Sequence, residues 1–92
     1  MSIGSFSHKG LEELFTLGET RRIGRQHQRA ALFILDLLDN MESPADCVGV
    51  RRFHRLKGDR SDTFALAVSG NWRITFRWRN GETHDVDLED YH

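Results

Sequence analysis

From about residue 63 the chain alternates between apolar and polar positions. Phe64, Leu66 and Val68 interleave with Thr63, Ala65, Ala67 and Ser69. Trp72, Ile74, Phe76 and Trp78 interleave with Arg73, Thr75, Arg77 and Arg79, and Val86 and Leu88 interleave with Asp85, Asp87 and Glu89. A period of two marks strands with one buried face. Ser69-Gly70-Asn71 and Asn80-Gly81 punctuate the runs, so they read as an antiparallel meander. Before residue 51 the period is helical. Ser7 stands at an N-cap position ahead of Leu11, Leu14 and Phe15, and Gly18 is placed to stop that helix. Residues 18–24 read as a loop. Residues 26–41 contain no Gly or Pro and predict a second helix. Its apolar residues, Ala30 to Leu35, Leu37, Leu38 and Met41, exceed one stripe. That width predicts cover on more than one side, from the sheet and from the first helix or a partner. Ser43-Pro44-Ala45-Asp46 ends it, and Ile3 to Phe6 predicts a short strand.

The pattern also selects a register. A two-residue turn at Asn80-Gly81 would set Phe76 against Asp85 and Ile74 against Asp87, mixing apolar and charged groups on one face. A three-residue connection with Gly81 left-handed pairs Phe76 with Val86, Ile74 with Leu88 and Arg77 with Asp85, and is preferred. The same logic pairs Leu66 with Ile74 and Ala67 with Arg73. The expected fold is α+β: two N-terminal helices on the apolar face of a small, mainly antiparallel sheet. The other face carries Arg73, Thr75, Arg77 and Asp85 above a floor of Ala65 and Ala67. Continuing the register sets Glu89 opposite Arg73 and brings Tyr91 onto the polar face, diagonal to Arg73.

Ninety-two residues fit one domain spanning 1–92, with a modest core and a shallow surface groove in place of a deep cleft. Charge adds a second clue. Residues 1–50 carry 5 Lys/Arg and 7 Asp/Glu, residues 51–79 carry 8 against 2, a local net of +6, and residues 80–92 carry 5 acids and no Lys or Arg. A basic middle in a chain of net charge −1 suggests a patch facing a polyanion. Cys47 is alone, so no disulfide framework or zinc spacing exists. No long apolar run is present, so a soluble cytoplasmic protein with no membrane partner is expected.

The candidate chemistry gathers on the polar face and at the chain end. A strand arginine is ordinarily solvated or ion-paired, but small neighbours uncover Arg73, and its fork suits a phosphate. Lys57 follows His54-Arg55-Leu56 and would help neutralise a phosphorane-like transition state. His54 and His92 are possible proton carriers, since imidazole titrates near ~6.5. Tyr91 would stack on a base or act through its hydroxyl. Asp85, Asp87 and Glu89 would suit a divalent cation, but the register already sets Arg77 and Arg73 opposite Asp85 and Glu89. No metal or cofactor is therefore expected.

At these residues the chain resembles a known family. The segments Ser5-Phe6-Ser7-His8-Lys9-Gly10-Leu11, Leu56-Lys57-Gly58-Asp59-Arg60, Val68-Ser69-Gly70-Asn71-Trp72-Arg73-Ile74-Thr75-Phe76 and Glu89-Asp90-Tyr91-His92 resemble the HigB toxins of the RelE-like superfamily, also called plasmid-maintenance killer proteins. The likeness spans nearly the whole chain. It implies a RelE-like, microbial ribonuclease-like fold and the toxin of a type II toxin–antitoxin pair. It also implies a metal-independent endoribonuclease that cuts messenger RNA in the ribosomal A site, by attack of the 2′-hydroxyl to leave a 2′,3′-cyclic phosphate. By matching position the active-site residues would be Lys57, Arg73, Tyr91 and His92, with His54 a further candidate. Arg55, Arg60 and Arg77 would hold RNA non-specifically. Expected partners are the ribosome with its mRNA and a HigA-like helix-turn-helix antitoxin facing residues 18–41, with DNA reached only through that antitoxin. Two alternatives remain: a superfamily toxin that poisons DNA gyrase by protein contact, and a non-catalytic RNA-binding module. The second is disfavoured because Trp72, Phe76 and Trp78 share the parity of the core and would be buried, not free to stack on bases.

Overall fold

A computed structural model describes residues 3–90. Helices α1 (Lys9–Leu17) and α2 (Arg25–Asn40) precede four strands: β1 (His54–Arg55), β2 (Thr63–Ser69), β3 (Trp72–Arg79) and β4 (Glu82–Asp90). The strands form one antiparallel sheet in the order β1-β2-β3-β4. This is the expected α+β arrangement. Residues 3–8 run along the outer edge of β4, with parallel bridges from Ile3 to Thr83 and from Phe6 to Val86. That segment covers an edge that would otherwise present unpaired backbone groups.

The helices cover one face of the sheet. Leu11 and Leu14 of α1, with Ile34, Leu35 and Leu38 of α2, meet Leu66, Ile74, Phe76 and Val86 in the core. The cap of α1 differs from expectation. His8, not Ser7, is the N-cap, and its Nδ1 accepts from the Leu11 N–H at 3.2 Å. Gly18 closes the helix as predicted, with φ 82° and its N–H bonded to Leu14 O. Helix α2 buries a narrower stripe than its composition suggested. Leu32 and Phe33 stay exposed because the residues that meet the sheet and α1 are Ala31, Ile34, Leu35 and Leu38. Parity likewise overstated the burial of two tryptophans. Phe76 is fully buried, but Trp72 and Trp78 are half-buried, and Trp78 lines an open cavity of ≈ 650 Å³ with Phe53, Phe64 and Arg55.

The predicted pairings Leu66–Ile74, Ala67–Arg73, Ile74–Leu88 and Arg73–Glu89 are all present. The predicted connection between β3 and β4 is not. Arg79 pairs with Glu82, so Asn80-Gly81 is a two-residue turn, with both residues at positive φ (52° and 79°). The extra residue lies further along, where the register shifts between Thr75 and Arg77. There Asp85 adopts φ 55°, a left-handed conformation that Asp tolerates better than most residues. The turn preference and the hydrophobic register are both satisfied because a bulge inside β4 restores the parity that a tight turn would invert. Arg77 accordingly pairs across the sheet with His84, although its side chain still reaches Asp85.

Candidate active site

Strand alternation builds the polar face in rows. His54, Ala65, Thr75 and Asp87 form one row across the four strands, and Ala67, Arg73 and Glu89 form the next. Thr63 and Arg77 continue on the other side. Ala65, Thr63 and Thr75 are buried despite facing away from the helices, so the longer side chains stand above a tight floor.

Two cavities meet at Arg60. One, of ≈ 350 Å³, is lined by His54, Arg55, Leu56, Lys57 and Arg60, with no acid among them. The other, of ≈ 340 Å³, is lined by Ser7, Arg60, Thr63, Thr75, Arg77, Asp85, Asp87 and Glu89. The structure thus brings His54 and Lys57 together with Arg60, in a row adjacent to that of Arg73. His54 is exposed, and its Nδ1 lies 2.9 Å from the Arg52 carbonyl. A carbonyl only accepts, so Nδ1 is the donor in this contact. Lys57 is exposed at the start of a 3₁₀ turn, Gly58–Arg60. Arg73 is half-buried, and its Nη1 reaches the Gly70 carbonyl at 3.4 Å, beside the β2–β3 turn.

Other expectations are rearranged. Arg55 lines the basic cavity from the other side of β1. It pairs with Phe64, and alternation sends it to the helix side, where its guanidinium lies 5.1 Å from the Phe64 ring centroid. Arg77 is held by Asp62 at 3.4 Å and by Asp85 at 3.3 Å. Glu89 stands opposite Arg73 in the backbone ladder, but its carboxylate goes to Arg60. Arg60 Nη1 and Nη2 donate to Oε1 and Oε2 at 2.8 and 2.6 Å, and Thr75 Oγ1 donates to Oε2 at 2.6 Å. The Arg60 hydrogen bond holds the Glu89 carboxyl below its ordinary range; burial opposes it, and the Thr75 bond and the Arg60 charge add smaller pulls downward. Tyr91 and His92 lie outside the described residues.

Two contributors escaped the sequence reading, Asp62 and Ser5, and Thr75, placed on the polar face, was given no role there. Ser5 Oγ accepts from the Asp85 N–H at 2.8 Å, tying the edge segment to the bulge. The available signal was the parity conflict at Asp85. The Arg60–Glu89 contact joins residues 29 apart, and Arg60 sits in a 3₁₀ turn where no strand periodicity places it.

Comparison with known proteins decides the family. The model of the RelE-like toxin of type II toxin-antitoxin system HigB matches residues 4–92. The chain belongs to the HigB-like toxin family. It is 37% identical over 94 residues to the Endoribonuclease HigB of Proteus vulgaris, covering 98% of this chain and 99% of the relative. A HigB-like toxin is one half of a type II pair, so an antitoxin is its partner. Among the described residues, no helix is long and apolar enough to cross a membrane.

Proposed function

We propose that this HigB-like toxin is a ribosome-dependent endoribonuclease that cuts messenger RNA in the A site without a metal ion. What carries the reading is the convergence of His54, Lys57 and Arg60 on one cavity beside the Arg73 row, in a chain similar over its full length to an endoribonuclease. The 2′-oxygen attacks the adjacent phosphorus as the P–O5′ bond breaks, leaving a 2′,3′-cyclic phosphate and a 5′-hydroxyl. His92 or Tyr91 takes the 2′-hydroxyl proton, and His54, protonated at Nε2, delivers one to the departing 5′-oxygen. Arg73 and Lys57 hold the phosphate and the charge that builds on its equatorial oxygens. A shallow groove suits a substrate positioned by the ribosome, which supplies part of the orientation that a deeper site would provide. The antitoxin is a helix-turn-helix protein that carries the pair to DNA, and the toxin acts in the cytoplasm.

Arg73→Ala tests the assignment. Transcript cleavage and growth arrest should be lost on induction while circular dichroism stays that of the wild type. Undiminished toxicity in that variant refutes the catalytic reading. DNA damage with intact translation in cells expressing the wild type would point instead to gyrase.

A further inference from the structure

Arg60 lines both cavities, the basic one with His54 and Lys57 and the acidic groove with Asp85, Asp87 and Glu89. Its fork is engaged on the acidic side. Two guanidinium nitrogens and the Thr75 hydroxyl place three donors on the two Glu89 oxygens, at 2.8, 2.6 and 2.6 Å. Two oxygens bridged by a planar fork, with a hydroxyl on one of them, also describe how a phosphodiester's non-bridging oxygens are held. Arg60 ends the Gly58–Arg60 turn, and its side chain is 46% exposed, so solvent reaches the guanidinium beside Glu89. Ion pairs at that exposure contribute little net free energy and exchange readily. The acidic groove also carries three carboxylates against two arginines, so it does not attract a polyanion while those pairs are closed.

We propose that Glu89 is an internal phosphate mimic: its carboxylate occupies the Arg60 fork in the free toxin, and RNA binding transfers that fork to a backbone phosphate over His54 and Lys57. The proposal rests on the nuclease reading of the same site and goes beyond it by naming a competitor for the substrate. An intramolecular carboxylate competes at the high effective concentration of a tethered ligand. The free chain should therefore bind bare RNA weakly and engage it where a third party holds the strand in place. Once released, Glu89 keeps the Thr75 hydroxyl and reaches solvent, since its side chain is 24% exposed.

The test is a double-mutant cycle on binding of a labelled single-stranded oligonucleotide with 2′-O-methyl riboses throughout, which cannot be cut. Fluorescence anisotropy is read at one fixed salt concentration, because phosphate contacts are salt-dependent. Glu89→Gln should tighten binding by roughly two- to fivefold, the weight of one released surface ion pair. That gain should vanish when Arg60→Gln is also present. Asp87→Asn removes a charge from the same groove without touching the Arg60 fork, and should give a smaller gain that survives in the Arg60→Gln background. No gain from Glu89→Gln, or an equal gain in both backgrounds, overturns the proposal, since simple charge removal would then explain everything. If Glu89→Gln fails to fold, carboxyl carbon NMR of the wild type decides. Saturation with the oligonucleotide should return the Glu89 titration toward ordinary glutamate, and an unchanged titration overturns the exchange. Cleavage of translated transcripts by the wild type checks the nuclease reading separately. A toxin that cuts but shows no Arg60–Glu89 coupling refutes the exchange alone.

Discussion

Replacing Thr75 by Val isolates one hydrogen bond in the site at nearly constant shape. Thr75 is 4% exposed, and its hydroxyl donates to Glu89 Oε2 at 2.6 Å. Val keeps the branched outline that the floor between Ala65 and Asp87 requires, and deletes the donor. A hydrogen bond to a charged group contributes about 1.5–3 kcal/mol, and the lower half of that range applies because Glu89 can recruit water. The expected loss at neutral pH is therefore about 1.5 kcal/mol, a fall in Tm of roughly 6–12 °C for a domain of this size. The loss should depend on pH in a defined direction. The Arg60 and Thr75 bonds lower the folded Glu89 carboxyl below 4.5, its ordinary value, so their stabilisation is complete above that value. It fades as the pH falls through the depressed folded pKa. Urea unfolding followed by circular dichroism at pH 7 and at pH 3 measures both values. The difference between wild type and Thr75→Val should be smaller at pH 3 than at pH 7, because protonation removes the charge that the hydroxyl bond stabilises. An equal loss at the two pH values would refute the argument, because it would trace the cost to packing and not to the carboxylate.

Two further outcomes follow from the core. Cys47 is fully buried, its thiol 3.5 Å from Met41 sulfur; burial, and then the charge of Asp46, push it up to about 11. It should resist a disulfide reagent in the folded toxin and react at once in urea, and stability should fall as the pH rises from 9 toward 11, where only the unfolded thiol ionises; rapid labelling of the native chain would contradict this. Leu38→Ala, at a fully buried position between α2 and the rest of the core, should cost about 2–5 kcal/mol in urea unfolding, with a cost below about 1 kcal/mol showing that the helix does not seal the core.

The sequence determined the elements and most of the register. Alternation in residues 63–89 has one solution that keeps Leu66, Ile74 and Leu88 on one face, and that solution places Arg73 beside Glu89. The same parity put Arg73, Thr75 and Arg77 on the polar face. These are properties of neighbours along a strand, and period two carries them. Tertiary structure decided three things that periodicity cannot carry. A tight Asn80-Gly81 turn and an apolar register conflict locally, and only a bulge at Asp85, braced by Ser5 from the far end of the chain, reconciles them. Arg60 looked like an available cation and Arg77 like one paired with Asp85 alone, but the fold brings Glu89 to Arg60 across 29 residues and adds Asp62 to Arg77. Arg55 has the composition of a phosphate ligand, yet a two-residue strand turns it to the helix side, onto Phe64. In the first two cases the deciding partner comes from an irregular or distant segment. Residue type announces which chemistry is possible, and only chain packing decides which partner satisfies it.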